Sequence, residues 1–301
     1  MHHLIRGLAA TLFLCFPFAV LAETTLIHAG ALLAVPGESV QRDRTIVVVD
    51  ERIVEVRGGF ADAAEFDGDV DVVDLRDYFV LPGLMDMHVH LQGQLGPNRD
   101  SEALRMSAPH RQMRSIMYAM RTLEAGFTTV SDVGNTGQEM YALRDGINNG
   151  WVDGPRIVAA GGVGITGGHA DVSGMRPEFM ELFTDNSICD GPFDCRRAAR
   201  NQIKYGADLI KITSTGGVMT DRATGTGQQM EMDELREVVQ AAARMGRKVA
   251  SHAHHEDGIV AALEAGVASI EHGSYTGKRA IPLFLETGAY LVPTLLAGKT
   301  V

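Results

Sequence analysis

Residues 80–90 read VLPGLMDMHVH, an apolar run that ends in two histidines. The run predicts a buried β-strand, and residues two apart on a strand point to the same face. His88 and His90 should therefore lie side by side where the strand ends. Because neutral imidazole is a common zinc ligand, the pair predicts a metal site, with a stray pair in a polar loop as the alternative.

The chain after residue 80 alternates apolar strand candidates with helical patterns, which is typical of βα units around a parallel sheet. The helical patterns include Ala108–Ala125 and Met232–Met245. Glycine stops at Gly126 and Gly266 predict two helix ends, each followed by a buried strand. The seven predicted strands are Val80–His90, Thr128–Val133, Arg156–Ala160, Leu209–Thr213, Lys248–His252, Ser269–His272 and Tyr290–Leu295. A TIM-like (β/α)8 barrel has eight strands, so the sequence predicts an α/β barrel that lacks its last βα unit.

Two further segments precede the barrel. Residues 1–22 have a weakly basic start, an apolar run and small residues up to Ala22, which predicts a secretory signal peptide cleaved after Ala22. A membrane anchor is the alternative, but the run is short for a membrane span. Residues 23–79 read as short strands with turns and predict a small β-sandwich-like domain without catalytic residues. The barrel would then occupy residues 80–301, in a periplasmic or secreted protein with no stable membrane anchor.

The composition is that of an ordinary globular chain, with 301 residues, 45% hydrophobic and 22% charged. The formal net charge of -11 argues against nucleic acid and anionic membrane surfaces as partners. Cys189 and Cys195 lie close together in a loop-like stretch. In an exported chain such a pair predicts a disulfide, and two free thiols are the alternative.

Three more candidates lie at or near the ends of later strands, where barrel enzymes keep their sites: Lys211, His252 and His272. An ammonium group has no lone pair for a metal, but burial lowers the pKa of lysine, and a neutral amine reacts with CO2. The carbamate so formed has two oxygens that can bridge two ions. The pattern therefore predicts two divalent metal ions.

In the predicted two-metal site, His88 and His90 would bind one ion. His252 and His272 would bind the other, and Lys211 carboxylated by CO2 would bridge both. A hydroxide between the ions would be the nucleophile. Zn²⁺ is the expected ion, because the ligands are imidazoles and an oxygen bridge.

Several motifs resemble those of the amidohydrolase superfamily, and most of all its imidazolonepropionase-related, exported, prolidase-like dipeptidases. The resemblance covers the chain after the predicted signal peptide. The motifs are LPGLMDMHVH (81–90), GFTTV (126–130), ITGGHA (165–170), IKI (210–212), STGG (214–217) and IEHG (270–273). The resemblance implies a metal-dependent hydrolase of Xaa-Pro, Xaa-Arg or Xaa-Lys dipeptides or related N-acyl amino acids. The partner would be a small-molecule substrate, and the resemblance leaves open whether the protein forms a homo-oligomer.

The resemblance also implies two substrate-binding residues. His169 would contact the substrate carbonyl, with a structural loop residue as the alternative. In similar prolidases a tyrosine that helps to bind the substrate carboxylate stands where this chain has His254, which departs from a proline-specific pattern. His254 would still donate a hydrogen bond to a carboxylate. Tyr275 and Arg222 are weaker candidates and more typical of structural residues.

The resemblance further implies an aspartate at the end of an eighth strand, as a metal ligand and proton shuttle. The sequence has no aspartate after Asp257. Glu271 should point away from the site because it is the strand neighbour of His272. We therefore expect a C-terminally truncated chain that is itself inactive. The alternatives are another amide, lactone or ester hydrolase of the same superfamily, or a catalytically dead protein.

Overall fold

The computed structural model describes residues 23–94, 96–97, 99–134, 137–218 and 225–300. The predicted signal peptide and Arg222 lie outside these residues. The chain divides into two compact units, Met1–Pro82 and Gly83–Val301. Within the described residues, we find no helix with the length and apolar character needed to cross a membrane.

The first unit contains one four-stranded sheet in the order β3-β2-β1-β4. Its strands are β1 (Thr24–Leu32), β2 (Gln41–Val49), β3 (Arg52–Gly58) and β4 (Val70–Val80). The β2–β3 connection is a two-residue turn in which Asp50 and Glu51 both have positive φ. Such a turn matches the twist of an antiparallel hairpin. Leu26 and Val47 lie in a small apolar core of this unit.

The second unit is built on parallel strands in the order β12-β11-β10-β9-β7-β6-β5, with β8 beside β7. The strands are β5 (Leu84–Val89), β6 (Phe127–Asp132), β7 (Arg156–Ile165), β8 (Ile188–Cys189), β9 (Leu209–Thr213), β10 (Lys248–Ala253), β11 (Ser269–His272) and β12 (Tyr290–Val292). The helices are α1 (Arg99–Arg105), α2 (Ala108–Glu124), α3 (Gln138–Asn148), α4 (Pro177–Phe183), α5 (Pro192–Lys204), α6 (Met232–Arg244), α7 (Glu256–Ala265), α8 (Ala280–Thr287) and α9 (Ala297–Thr300). Helices therefore connect the successive parallel strands, as in βα units.

The parallel sheet curls towards a barrel. His88 on β5 and Glu271 on β11 lie far apart in the strand order, yet His88 Nδ1 is 2.7 Å from Glu271 Oε2. The predicted fold is confirmed: a TIM-like sheet of seven main strands, nearly closed, with a separate small sheet. Glycine also ends α2 and α7 as predicted, because Gly126 and Gly266 both have φ of 94°, a conformation that side chains disfavour.

Strand alternation decides which side chains face the inside of the barrel. On β9, Ile210 and Ile212 are fully buried in the apolar core that also contains Leu235 of α6. The residues between and after them, Lys211 and Thr213, therefore face the opposite, inner side of the sheet.

One sequence prediction is changed in detail and another is confirmed. The first barrel strand was expected from Val80, but Val80 is the last residue of β4, and β5 begins at Leu84. Pro82 lies between them and has no backbone N–H to donate to a sheet, so the apolar run is divided. The predicted disulfide is confirmed, because Cys189 and Cys195 are bonded to each other between β8 and α5.

Candidate metal centre

Histidines from three barrel strands meet at the carboxyl ends of those strands. The ring centroids of His88 and His90 are 5.4 Å apart, and those of His88 and His272 are 4.9 Å apart. The ring of His252 on β10 lies 4.6 Å from that of His272. The structure thus brings together the four predicted histidine ligands, although β5 and β11 are not neighbours in the sheet.

The spacing of the first pair suits a metal ion. Nε2 of His88 and Nε2 of His90 are 3.4 Å apart. Two nitrogens bound at 2.0–2.1 Å to one tetrahedral zinc ion are about 3.4 Å apart. The turn after His90 is fixed by Asp132, which accepts hydrogen bonds from the backbone N–H of Leu91 (2.7 Å) and of Gly134 (3.2 Å).

Lys211 lies on the inner face of β9, and only 8% of its surface is exposed. Burial lowers the pKa of the Lys211 ammonium to about 8, although the negative charges of Glu271 and Asp132 act to raise it. At pH 7 a lysine with this pKa is still mostly protonated, but its neutral fraction is far larger than that of an exposed lysine. The neutral amine is the form of lysine that reacts with CO2.

The buried histidines are held in the form that binds metals. Burial, together with neighbouring His88 and Lys211, lowers the pKa of His272 to about 3. Burial and Lys211 also lower the pKa of His252 well below its usual value, and burial lowers that of His88. At neutral pH these imidazoles are uncharged and have a lone pair to offer.

The fit of the cluster to two bridged ions depends on oxygens carried by Lys211. Over the described residues, no three His, Cys, Asp or Glu side chains are arranged to hold a metal ion by themselves. The predicted centre differs from such a group in that it needs oxygens carried by Lys211. Thr213 is also buried on the inner face of β9, and its hydroxyl has no hydrogen-bond partner among the described residues. An unpaired buried hydroxyl is consistent with a site that would gain oxygen atoms when Lys211 is carboxylated. The residues present therefore fit the predicted two-metal centre.

Glu271 is a site residue that the sequence reasoning missed. It was expected to point away from the site, but it is buried on β11 and its Oε2 lies 2.7 Å from Nδ1 of His88. The expectation failed because strand alternation ends at His272, whose φ is +70°. Glu271 faces inward like its register partner His252, and the left-handed backbone turns the ring of His272 to the same side.

Both predicted substrate residues lie beside the histidine cluster. The ring of His169 is 4.4 Å from that of His252. The ring of His254 lies 4.7 Å from that of His252 and 5.0 Å from that of His272. His254 is buried, and its Nδ1 is 2.8 Å from the hydroxyl of Ser274, whereas Tyr275 is exposed.

Two glycines leave room for histidine rings. A Cβ at position 134 would lie 2.2 Å from Nδ1 of His90, and a Cβ at position 217 would lie 2.1 Å from Cε1 of His169. Neither glycine has a positive φ. The sequence therefore needs glycine at these positions for space rather than for backbone conformation.

Comparisons with known proteins agree with this geometry. The model of the Amidohydrolase family matches residues 79–300. Ochratoxinase from Aspergillus niger is 30% identical over 289 residues, which are 91% of this chain and 59% of the relative. The chain thus spans less than two thirds of this curated relative.

Solved structures are similar as well. A crystal structure of a Xaa-Pro dipeptidase with bound methionine in the active site has a TM-score of 0.86 and 39% identity, and the match covers 92% of this chain and 68% of that one. The crystal structure of A. niger ochratoxinase has a TM-score of 0.78 and 29% identity, over 92% of this chain and 67% of that one.

Proposed function

This chain belongs to the amidohydrolase family, and we propose that it is a metal-dependent hydrolase of amide bonds in dipeptides or N-acyl amino acids. The observation that carries the proposal is the cluster of uncharged histidines around a buried lysine of lowered pKa. The family is generally metal-dependent. The prolidase-like resemblance of the sequence motifs is confirmed by the structural neighbours.

The proposal assigns the predicted ligands to two Zn²⁺ ions. His88 and His90 would hold one ion, at the nitrogen spacing given above. His252 and His272 would hold the other, and carboxylated Lys211 would stand between them. When bound, the ions would polarise the scissile carbonyl and supply an activated water.

The other residues of the site would bind and orient the substrate. His169 would donate a hydrogen bond to the substrate carbonyl, because its ring is next to that of His252. His254 would use Nε2 to bind the substrate carboxylate, since its Nδ1 faces the hydroxyl of Ser274. A charge-assisted hydrogen bond of this kind would favour substrates with a free carboxylate.

The substrate class is supported by the similar proteins. One neighbour is described as a Xaa-Pro dipeptidase, and the relatives include ochratoxinase. Since His254 replaces the tyrosine of similar prolidases, we propose a preference for C-terminal residues other than proline. The alternative is that the same type of metal centre hydrolyses another amide, an ester or a lactone.

We also propose that the protein is exported to the periplasm or secreted. The Cys189–Cys195 disulfide supports this location, because disulfides persist in oxidising compartments.

Metal content and hydrolysis together test the proposal. The purified full-length protein is assayed for zinc by elemental analysis and for activity against dipeptides, N-acyl amino acids, esters and lactones. We expect two zinc ions per chain and hydrolysis of substrates with a free carboxylate. Lys211→Ala should lose zinc and activity together. One ion with full activity in Lys211→Ala would contradict the bridging lysine, and hydrolysis of esters or lactones alone would contradict the substrate class.

A further inference from the structure

Glu271 is a buried carboxylate at the edge of the histidine cluster. Only 1% of its side chain is exposed. One oxygen, Oε2, lies 2.7 Å from Nδ1 of His88, and the other, Oε1, accepts a hydrogen bond of 2.7 Å from the hydroxyl of Ser269. Both oxygens are therefore engaged, and both partners lie inside the barrel.

The hydrogen-bond partners of Glu271 are a hydroxyl and an imidazole, and the charge of Glu271 also acts on the ammonium of Lys211. Among the ion pairs of the described residues, Glu271 pairs only with His88. A buried carboxylate is costly unless a positive charge lies close to it. In the proposed centre Lys211 is carboxylated and no longer carries a positive charge, and a cation on the far nitrogen of His88 would take its place.

The hydrogen bond also decides which nitrogen of His88 faces the cluster. A carboxylate accepts hydrogen bonds and does not donate them, so it selects the tautomer with the proton on Nδ1. Nε2 then has the lone pair, and Nε2 is the atom that lies 3.4 Å from Nε2 of His90.

We propose that Glu271 is a positioning residue of the metal centre: it holds His88 as the Nδ1–H tautomer, and its charge balances the cation bound at Nε2. The proposal rests on the proposed function above, since it needs the site to bind a metal. Ser269 orients Glu271 by its hydrogen bond. Carboxylates that accept from metal-bound histidines act in this way in general and raise metal affinity.

Zinc affinity is the main test, and activity is not needed for it. The zinc dissociation constant is measured by competition with a chromophoric chelator. Glu271→Gln should weaken zinc binding about 10- to 100-fold, the usual effect of removing such a partner. Ser269→Ala should weaken it less, because the carboxylate stays in place. A dissociation constant within twofold of the wild-type value in Glu271→Gln would overturn the proposal.

Glu234→Gln is the matched control. Glu234 is also a buried glutamate, but its carboxylate caps α6 and accepts from the backbone N–H of Glu231 and Gly191. This variant should lose stability and keep its zinc affinity. Loss of zinc affinity in both variants to the same extent would overturn the proposal, because it would show a general effect of unfolding.

The wild-type protein gives a second measurement, which does not require Glu271→Gln to fold. The ¹⁵N shifts of the His88 ring, assigned by comparison with His88→Gln, should show the proton on Nδ1. A proton on Nε2 would overturn the proposal. If the wild-type protein binds no zinc, the proposed function itself fails. If it binds zinc as tightly as Glu271→Gln does, only the role of Glu271 fails.

Discussion

At the scale of single residues, variants of Gly134 and Gly217 test the proposed metal ligand His90 and the proposed substrate residue His169 separately. Gly134→Ala would place a Cβ against the ring of His90, and Gly217→Ala would place one against the ring of His169. We expect Gly134→Ala to lower the zinc content of the protein. Gly217→Ala should keep its zinc and lose catalytic efficiency, because only the proposed carbonyl donor is displaced.

Each of the two alanine variants is the control for the other. Zinc content by elemental analysis and kcat/KM on a hydrolysed dipeptide are measured for both. Equal zinc in the two variants would contradict the assignment of His90 as a ligand. Unchanged kcat/KM in Gly217→Ala would contradict the role of His169.

Thr213 offers a second test at this scale. Its buried hydroxyl has no partner among the described residues, and an unpaired buried hydroxyl destabilises a folded protein. Thr213→Val should therefore stabilise the metal-free protein by about 1 kcal/mol. In the zinc-loaded protein the gain should be smaller, because the hydroxyl then has oxygen atoms near it.

The measurement is urea unfolding of Thr213→Val with and without zinc, and Thr213→Ser is the control that keeps the hydroxyl. An equal gain in both forms would show that Thr213 has no part in the centre.

At the scale of secondary-structure elements, the disulfide joins β8 to the start of α5, and β8 pairs with the end of β7. The backbone N–H of Thr166 also donates to the carbonyl of Cys189 (3.0 Å), so the disulfide supports the loop that leads to His169. Removing it in a Cys189→Ala, Cys195→Ala double variant should lower stability by about 2 kcal/mol, as expected for so short a loop. KM should rise while zinc content stays unchanged.

The wild-type protein under reducing conditions is the control for the volume lost in the double variant. Thermal unfolding and KM are measured for both. If zinc content falls when KM rises, the disulfide acts on the metal centre and not on the His169 loop.

Much of the fold could be predicted at this scale, and the errors have physical causes. Regular strands such as β9 and β11 were predicted with their observed bounds, because apolar residues and glycine stops mark them. The start of β5 was wrong, since Pro82 divides one apolar run between two sheets. β8 has only two residues, too few for a periodic pattern.

The meeting of the candidate histidines and Lys211 could be predicted because each lies at or near the carboxyl end of a strand, and these ends of parallel strands meet. Glu271 could not be predicted, because its contact with His88 depends on the curl of the whole sheet and on the left-handed backbone at His272. The alternation of side chains along a strand predicts neither the curl of the sheet nor the left-handed backbone at His272. The Gln229 side chain that accepts from the backbone N–H of His169 was missed for the same reason, since it comes from a distant segment.

At the scale of the whole molecule, all candidate ligands lie in the second unit, from β5 to β11, and none lies in the sheet of the first unit. A ligand that binds only the folded state stabilises it, by about 2.7 kcal/mol at a concentration of one hundred times the dissociation constant. Zinc should therefore protect the second unit against unfolding and leave the first unit without a direct gain.

Hydrogen exchange measured by mass spectrometry, with and without zinc, resolves the two units. We expect zinc to slow exchange in peptides from β9 to β11, because the bound ions would add ligand bonds between strands that are not neighbours in the sheet. Peptides from β1 to β4 should exchange at the same rate in both states. Lys211→Ala is the control and should lose most of the protection. Equal protection of both units from hydrogen exchange would contradict a centre confined to the barrel, because zinc would then stabilise the first sheet as well.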